Sequence, residues 1–179
     1  MIPASRFIVQ SRYEQDWLAA RKGFITATTV AKASTAAGFN ALLAGERTFE
    51  GNEFTDYGHA AEPLILNHAH HQFGILHNDW LIVAENGRDA ATPDGLSPDH
   101  TEIAEAKTTG TDWKTIPALY RRQMQWQLWV TGAERCLFLW DLRLVNDLGG
   151  FYAPWLEPKT VWVDRDDDEI AALRVVADR

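Results

Sequence analysis

Ala91-Thr92-Pro93-Asp94-Gly95-Leu96, followed by Ile103-Ala104-Glu105-Ala106-Lys107, is the stretch whose reading decides the fold. It has the form of two short strands joined through Ser97-Pro98-Asp99-His100-Thr101, with Asp94 near the end of the first and Glu105-x-Lys107 on the second. Period-two alternation puts Glu105 and Lys107 on one face of their strand and turns the small Ala104 and Ala106 to the other, where they suit close packing. Two carboxylates and an ammonium therefore converge on one side of a sheet. Hard carboxylate oxygens suit Mg²⁺ or Mn²⁺, which take one or two of them and fill the rest of the shell with water and phosphate oxygens. A lysine beside such an ion can orient or help deprotonate an attacking water and offset charge developing on a phosphate. These residue types suggest metal-assisted phosphodiester hydrolysis. The alternative on these residues alone is a solvated hairpin whose Glu105 and Lys107 form a surface pair.

Pro93-Asp94 with Glu105-Ala106-Lys107 resembles the PD-(D/E)XK nuclease signature. Three further blocks, in the right order, resemble the phage lambda exonuclease or YqaJ-type branch. Trp17-Leu18-Ala19-Ala20-Arg21-Lys22-Gly23-Phe24-Ile25-Thr26-Ala27-Thr28 is similar to its opening block, and Gly58-His59-Ala60-Ala61-Glu62-Pro63 to its glycine-to-glutamate helix. Tyr120-Arg121-Arg122-Gln123-Met124-Gln125-Trp126 is similar to its Q-x-Q helix. The resemblance covers roughly residues 11 to 140.

That resemblance implies an α/β fold with a restriction-endonuclease-like core, a central mixed β-sheet flanked by helices. The chain is expected to form a single nuclease domain over residues 1–179, with a core of about 11–163 and a C-terminal helix of about 164–177. The implied activity is that of a Mg²⁺-dependent deoxyribonuclease, with Mn²⁺ able to substitute, most like the phage recombination exonucleases that degrade one strand of duplex DNA from its 5′ end. By the same resemblance Asp94 and Glu105 bind metal with the Ala106 backbone carbonyl, and Glu62 binds metal directly or through water. Lys107 activates water, Gln123 helps position the nucleophile, and Arg21 holds a substrate phosphate, fitting a 5′-terminal one. A guanidinium gives planar, bidentate recognition of such a group. The family's habit also implies DNA duplex ends as partner, a ring-shaped homotrimer and a single-strand annealing recombinase. Neither of the last two follows from spacing or periodicity.

At 179 residues the chain has the length of one domain with a real core, and its 46% hydrophobic and 23% charged residues are an ordinary globular composition. One cysteine excludes an internal disulfide framework, and excludes the cysteine-bound iron–sulfur cluster of CRISPR-adaptation-like nucleases. Cys136, within Cys136-Leu137-Phe138-Leu139-Trp140, reads as a buried inert thiol. No apolar run reaches membrane-spanning length and the N-terminus lacks a signal-peptide core, so the expected location is the cytoplasm of a bacterium or phage-infected host, with no membrane partner. His68, His70 and His71 do not read as zinc ligands, because no Cys or His cluster at structural-zinc spacing accompanies them.

The net charge of −8 is the main objection to a nucleic-acid substrate. Half of it sits between Glu157 and Glu169, where six acidic residues face two basic ones. Arg21, Lys22, Lys32, Lys107, Lys114, Arg121 and Arg122 are then the candidates for a phosphate-binding groove.

Ser11-x-x-Glu14 has the form of a capping box and predicts a first helix over about 12–22, stopped by Gly23. Thr26 or Thr28 predicts a cap for a second helix through about Ala37, and Phe39 to Phe54 reads as a loop or partly helical connection. A third helix is expected over about 56–73, starting near Ala60 or kinking at Pro63. Ile75 to Ala84 predicts a strand, and a helix follows over about 116–131. On that helix Tyr120, Gln123, Met124, Gln127 and Thr131 share a face, and its two glutamines need buried hydrogen-bond partners that an active site supplies. Gln127 has no support from the resemblance. Arg135 to Leu142 reads as a central strand, Phe151 to Trp155 and Thr160 to Val163 as late strands, and Asp164 to Ala177 as an acid-capped helix. Two other readings keep part of this picture: a structure-selective or nicking endonuclease with the same site, and a catalytically silent DNA-binding module.

Overall fold

A strand that alternates small apolar residues with a carboxylate and an ammonium can be covered on both faces if each face meets a helix of matching chemistry. The computed structural model, which describes residues 1–33, 38–40 and 52–178, builds the chain around such a strand. In chain order the elements are a 3₁₀ turn (Ala4–Arg6), β1 (Phe7–Gln10), α1 (Glu14–Arg21), β2 (Ile25–Thr26), α2 (Ala27–Lys32), α3 (Glu53–Phe73), β3 (Leu76–His77), β4 (Trp80–Val83), β5 (Asp89–Ala91), β6 (Gly95–Leu96), β7 (Glu102–Thr109), α4 (Ala118–Thr131), β8 (Arg135–Leu142), β9 (Leu144–Val145), β10 (Phe151–Tyr152), β11 (Lys159–Asp164) and α5 (Asp167–Ala177).

The strands form a five-stranded sheet in the order β11-β8-β7-β6-β3, a four-stranded sheet in the order β1-β4-β5-β2, and a β9–β10 hairpin. Both larger sheets are mixed, with β7–β8 and β2–β5 parallel and the other pairs antiparallel. The parallel β7–β8 pair requires a crossover, and α4 is that crossover. Ala104 and Ala106 pack with Ile65, Leu66 and Ala69 of α3 and with Leu137 and Leu139 of β8. From the opposite face Ile103 joins Met124 and Leu128 of α4, together with Cys136 and Phe138. The fold is therefore α/β with mixed sheets flanked by helices, as the resemblance implies, with its described strands divided between two larger sheets and the separate β9–β10 hairpin.

Gly95 is required by packing. A Cβ there would stand 2.8 Å from Ile75 Cγ2 and 2.9 Å from Ala104 Cβ, so only glycine lets β6 lie this close to β7 directly after Asp94.

Several boundaries differ from the sequence expectations. The capping box at Ser11 does not form: the Ser11 N–H donates to Asp79 O at 2.7 Å, extending the β1–β4 pairing, and α1 begins at Glu14 with no side-chain cap. The second helix ends at Lys32 with Ala33 extended, and the remainder expected to Ala37 lies outside the described residues. Most of the connection expected over 39–54 also lies outside them. The helix carrying Glu62 begins earlier than expected, because Asn52 Oδ1 accepts from Phe54 N and Thr55 N, both at 3.1 Å, and it runs through Pro63 to Gly74. The expected strand over 75–84 is two strands in different sheets.

Candidate active site

Asp94 lies where the chain leaves the four-stranded sheet at the end of β5 and enters the five-stranded one at β6. Its backbone N–H donates to Ala104 O at 3.0 Å, its C=O accepts from the Asn78 N–H at 2.8 Å, and its Oδ2 accepts from the Ala106 N–H at 2.8 Å. Asn78 also donates from Nδ2 to the C=O of Pro93 at 2.7 Å. The carboxylate is thereby fixed from backbone and side chain alike, against the strand that carries Glu105 and Lys107.

Glu105 is 1% exposed, so its charge has to be met by donors. Gln123 Nε2 donates to its Oε1 at 2.5 Å and Gln127 Nε2 to its Oε2 at 2.6 Å. Lys107 Nζ donates to Oε1 as well and to the Ala106 carbonyl at 3.1 Å. Both glutamines come from the crossover helix, one turn apart, on the face turned to β7. Gln127 is itself 1% exposed, and its Oε1 has no partner among the described residues. An amide held at that cost serves through its donor end. Changing Gln127 to leucine leaves Glu105 Oε2 buried without its donor; the expected cost is about 2 kcal/mol of stability, measured by urea unfolding without metal.

Glu62, on α3, lines the same cleft as Asp94, Glu105 and Lys107, and its Oε1 is 4.0 Å from His77 Nε2. Burial and then the charge of Glu105 hold the Asp94 carboxyl well above the usual carboxylate range, while Lys107 pulls the other way. Burial raises Glu62 in the same sense, against the opposing charge of Lys107, and Glu105 adds to the rise. Burial alone would depress the Lys107 ammonium, but Glu105 and Asp94 outweigh it and hold it above the ordinary lysine value. Three carboxylates thus share one cation. Among the described residues no three His, Cys, Asp or Glu side chains are already gathered into an ion cage. The donor chemistry nevertheless fits a divalent ion: hard oxygens, excess negative charge, and an ammonium already seated on Glu105 Oε1 and Ala106 O.

Arg21 lines this cleft too, its guanidinium carbon 4.2 Å from the Trp17 ring centroid. Burial lowers its pKa, and the Trp17 indole N–H in turn reaches Thr92 Oγ1 at 3.4 Å. The structure thus brings Arg21, Glu62, Asp94, Glu105, Lys107 and Gln123 to one cleft of about 620 Å³. It does not bring Arg121 and Arg122 there. Arg121 pairs with Glu169 at 2.7 Å and Asp166 at 3.2 Å, and Arg122 Nε donates to the Ala31 carbonyl at 2.9 Å. His59, His77 and Asn78 also line the cleft; His59 stands in the Gly58–Pro63 block, whereas nothing in sequence marks His77 or Asn78.

A two-sided mixed sheet with Asp94 at its entry, Glu105 and Lys107 on one strand face and a glutamine-bearing crossover helix defines a member of the PD-(D/E)XK nuclease superfamily. The family model described as YqaJ-like viral recombinase domain matches residues 16–134, more than half of the chain, and the chain belongs to that family. Among solved structures it is similar to an alkaline exonuclease (LHK-Exo) from Laribacter hongkongensis, with 26% identity, a TM-score of 0.68 and coverage of 92% of this chain and 89% of that one. The same exonuclease in complex with dAMP matches at 24% identity and TM-score 0.68, covering 90% and 88%. A phage related exonuclease from Haemophilus somnus 129PT shares the fold at 17% identity and TM-score 0.63, covering 87% and 90%. No curated protein matches the sequence.

Proposed function

We propose that this chain is a Mg²⁺-dependent deoxyribonuclease that removes nucleotides from duplex DNA ends in the 5′-to-3′ direction. The observation that carries the reading is the convergence of Asp94, Glu105 and Lys107, with Glu62 beside them, on one open cleft that also holds Arg21. Asp94, Glu105 and the Ala106 carbonyl would hold the ion, and Glu62 a second ion or a water. When bound, such an ion polarises the scissile phosphoryl oxygen and offsets the charge that builds on it.

The chain's own groups do the rest. Asp94 is fixed by three backbone groups, so it presents its carboxylate without reorganisation. Gln123 and Gln127 hold both oxygens of Glu105 and set its plane. Lys107 stays cationic beside the acids and donates hydrogen bonds to the attacking water or a phosphate oxygen. Gln123, at the edge of the cleft, orients that water. Arg21 stacks on Trp17 by its face and leaves its N–H edge for a terminal 5′-phosphate. A ring-shaped trimer and an annealing recombinase as partner belong to the same proposal through family membership.

The test is digestion of a linear duplex with one 5′-phosphorylated strand, and of a covalently closed circle, in Mg²⁺, Mn²⁺ or EDTA. Stepwise release of mononucleotides from the phosphorylated strand, only with metal, is the expected result. Cutting of the circle assigns an endonuclease instead, and inertness on every DNA end in both metals assigns a binding module.

A further inference from the structure

Arg21 and Trp17 line the acidic cleft. A second cleft of about 370 Å³ adjoins it, and the two share His59, Glu62 and Lys107 as a common wall, while Arg21 and Trp17 do not line the second. At the second cleft stands Arg143, directly after β8, with its guanidinium carbon 4.5 Å from the Phe54 ring centroid and 5.4 Å from that of Phe151. Its Nη1 donates to Thr108 Oγ1, on the site's own strand, at 3.4 Å. Among the described residues no carboxylate lies within ion-pair distance of it.

Two aromatic rings hold a planar cation and shed water from its faces while its N–H edge stays available, which is the state best prepared for an anion. An arginine so supported, and without an acid among the described residues, is placed to meet an anion from outside the chain rather than to neutralise one of these carboxylates. Phe54 is 45% exposed and lines the same cleft, and an exposed ring beside a cation suits an unstacked base. On the proposed reading, a strand whose 5′-phosphate rests at Arg21 and whose scissile linkage lies at Asp94, Glu105 and Lys107 would continue past Lys107 into the second cleft, which Arg21 does not line.

We propose that Arg143 binds the first phosphodiester retained on the 3′ side of the scissile bond, with Phe54 as a stacking face for the adjoining base. This rests on the nuclease reading above, and a binding measurement separates the two. The probe is a fluorescent, 5′-phosphorylated single-stranded tetranucleotide, made either with all phosphates or with a neutral methylphosphonate at the second linkage. Affinity is read in EDTA at low salt, where phosphate contacts are strongest. The wild-type chain is expected to prefer the all-phosphate probe by about 10-fold, the worth of a charge-assisted contact. Arg143→Gln is expected to bind both probes equally, and Arg143→Lys to keep an intermediate preference. If Arg143 were only a strut between the β9–β10 hairpin and α3, its loss would weaken both probes and preserve their ratio. Equal or unmeasurable binding of the probes by wild type, or a preference surviving in Arg143→Gln, overturns the subsite. A chain that shows the preference yet hydrolyses nothing with Mg²⁺ or Mn²⁺ keeps the subsite and loses the nuclease assignment.

Discussion

Replacing Lys107 with methionine is expected to lower metal-dependent hydrolysis by about 100- to 1000-fold, the usual loss when a preorganised donor at the developing charge is removed. The same change is expected to destabilise the protein in EDTA. Methionine keeps the apolar stem of the side chain but removes the one cation shared by Asp94, Glu105 and Glu62. Breaking one side of a buried pair costs about 3–5 kcal/mol. Lys107 keeps 24% side-chain exposure against 1% for Glu105, so the lower end, about 3 kcal/mol, is expected. Under the proposed metal site, a divalent ion binding to the folded state is expected to restore much of this by mass action. Thermal unfolding of wild type and Lys107→Met, each with EDTA and with Mn²⁺, reads the whole pattern. A variant as stable as wild type in EDTA, with turnover intact, removes Lys107 from the proposed machinery.

Asp94→Asn is expected to act in opposite directions on activity and stability. Hydrolysis is expected to fall by about 1000-fold or more, because the proposed role makes Asp94 a charged ion ligand. Stability without metal rises. The asparagine oxygen still accepts from the Ala106 N–H, while the repulsion from Glu105 disappears. A carboxyl whose folded pKa lies above its unfolded value costs stability as pH rises past the ordinary carboxylate range, and an amide removes that cost. A gain of about 1 kcal/mol corresponds to a Tm rise of about 2–4 °C for a chain of this size. The gain should vanish near pH 3, where the wild-type carboxyl is protonated in both states. A Tm that drops in EDTA at neutral pH contradicts the crowding of charge described at this site.

The reach of sequence reasoning here follows from what is local. Alternation along Ile103–Lys107 requires only one strand, so the shared face of Glu105 and Lys107 was legible, as were the α4 face that joins Gln123 to Gln127 and the strand Arg135–Leu142. Long-range pairing was not. Ser11 looked like a cap because Glu14 follows it at the right spacing, but its N–H is taken by Asp79, far along the chain. The short β1 gave no periodicity to read, and the division of residues 75–84 between two sheets depends on partners that spacing cannot reveal. Gln127 was recognisable as an amide in need of a partner; that the partner is Glu105 Oε2 needed coordinates. Asn78, which donates to the backbone carbonyls of both Pro93 and Asp94, carries no mark in sequence at all.

That grip bears on which ion the site can accept. A carboxylate on a mobile loop can swing outward or turn bidentate, and so accommodate the longer bonds and the six to eight oxygens that calcium takes. Asp94, held at its amide, its carbonyl and one carboxylate oxygen, has no such latitude. Under the proposed role its coordination number and reach are set before any ion arrives. Under the same proposal, a ligand fixed in this way is expected to favour small cations with an octahedral shell over larger ones, a preference set by ionic radius rather than by charge.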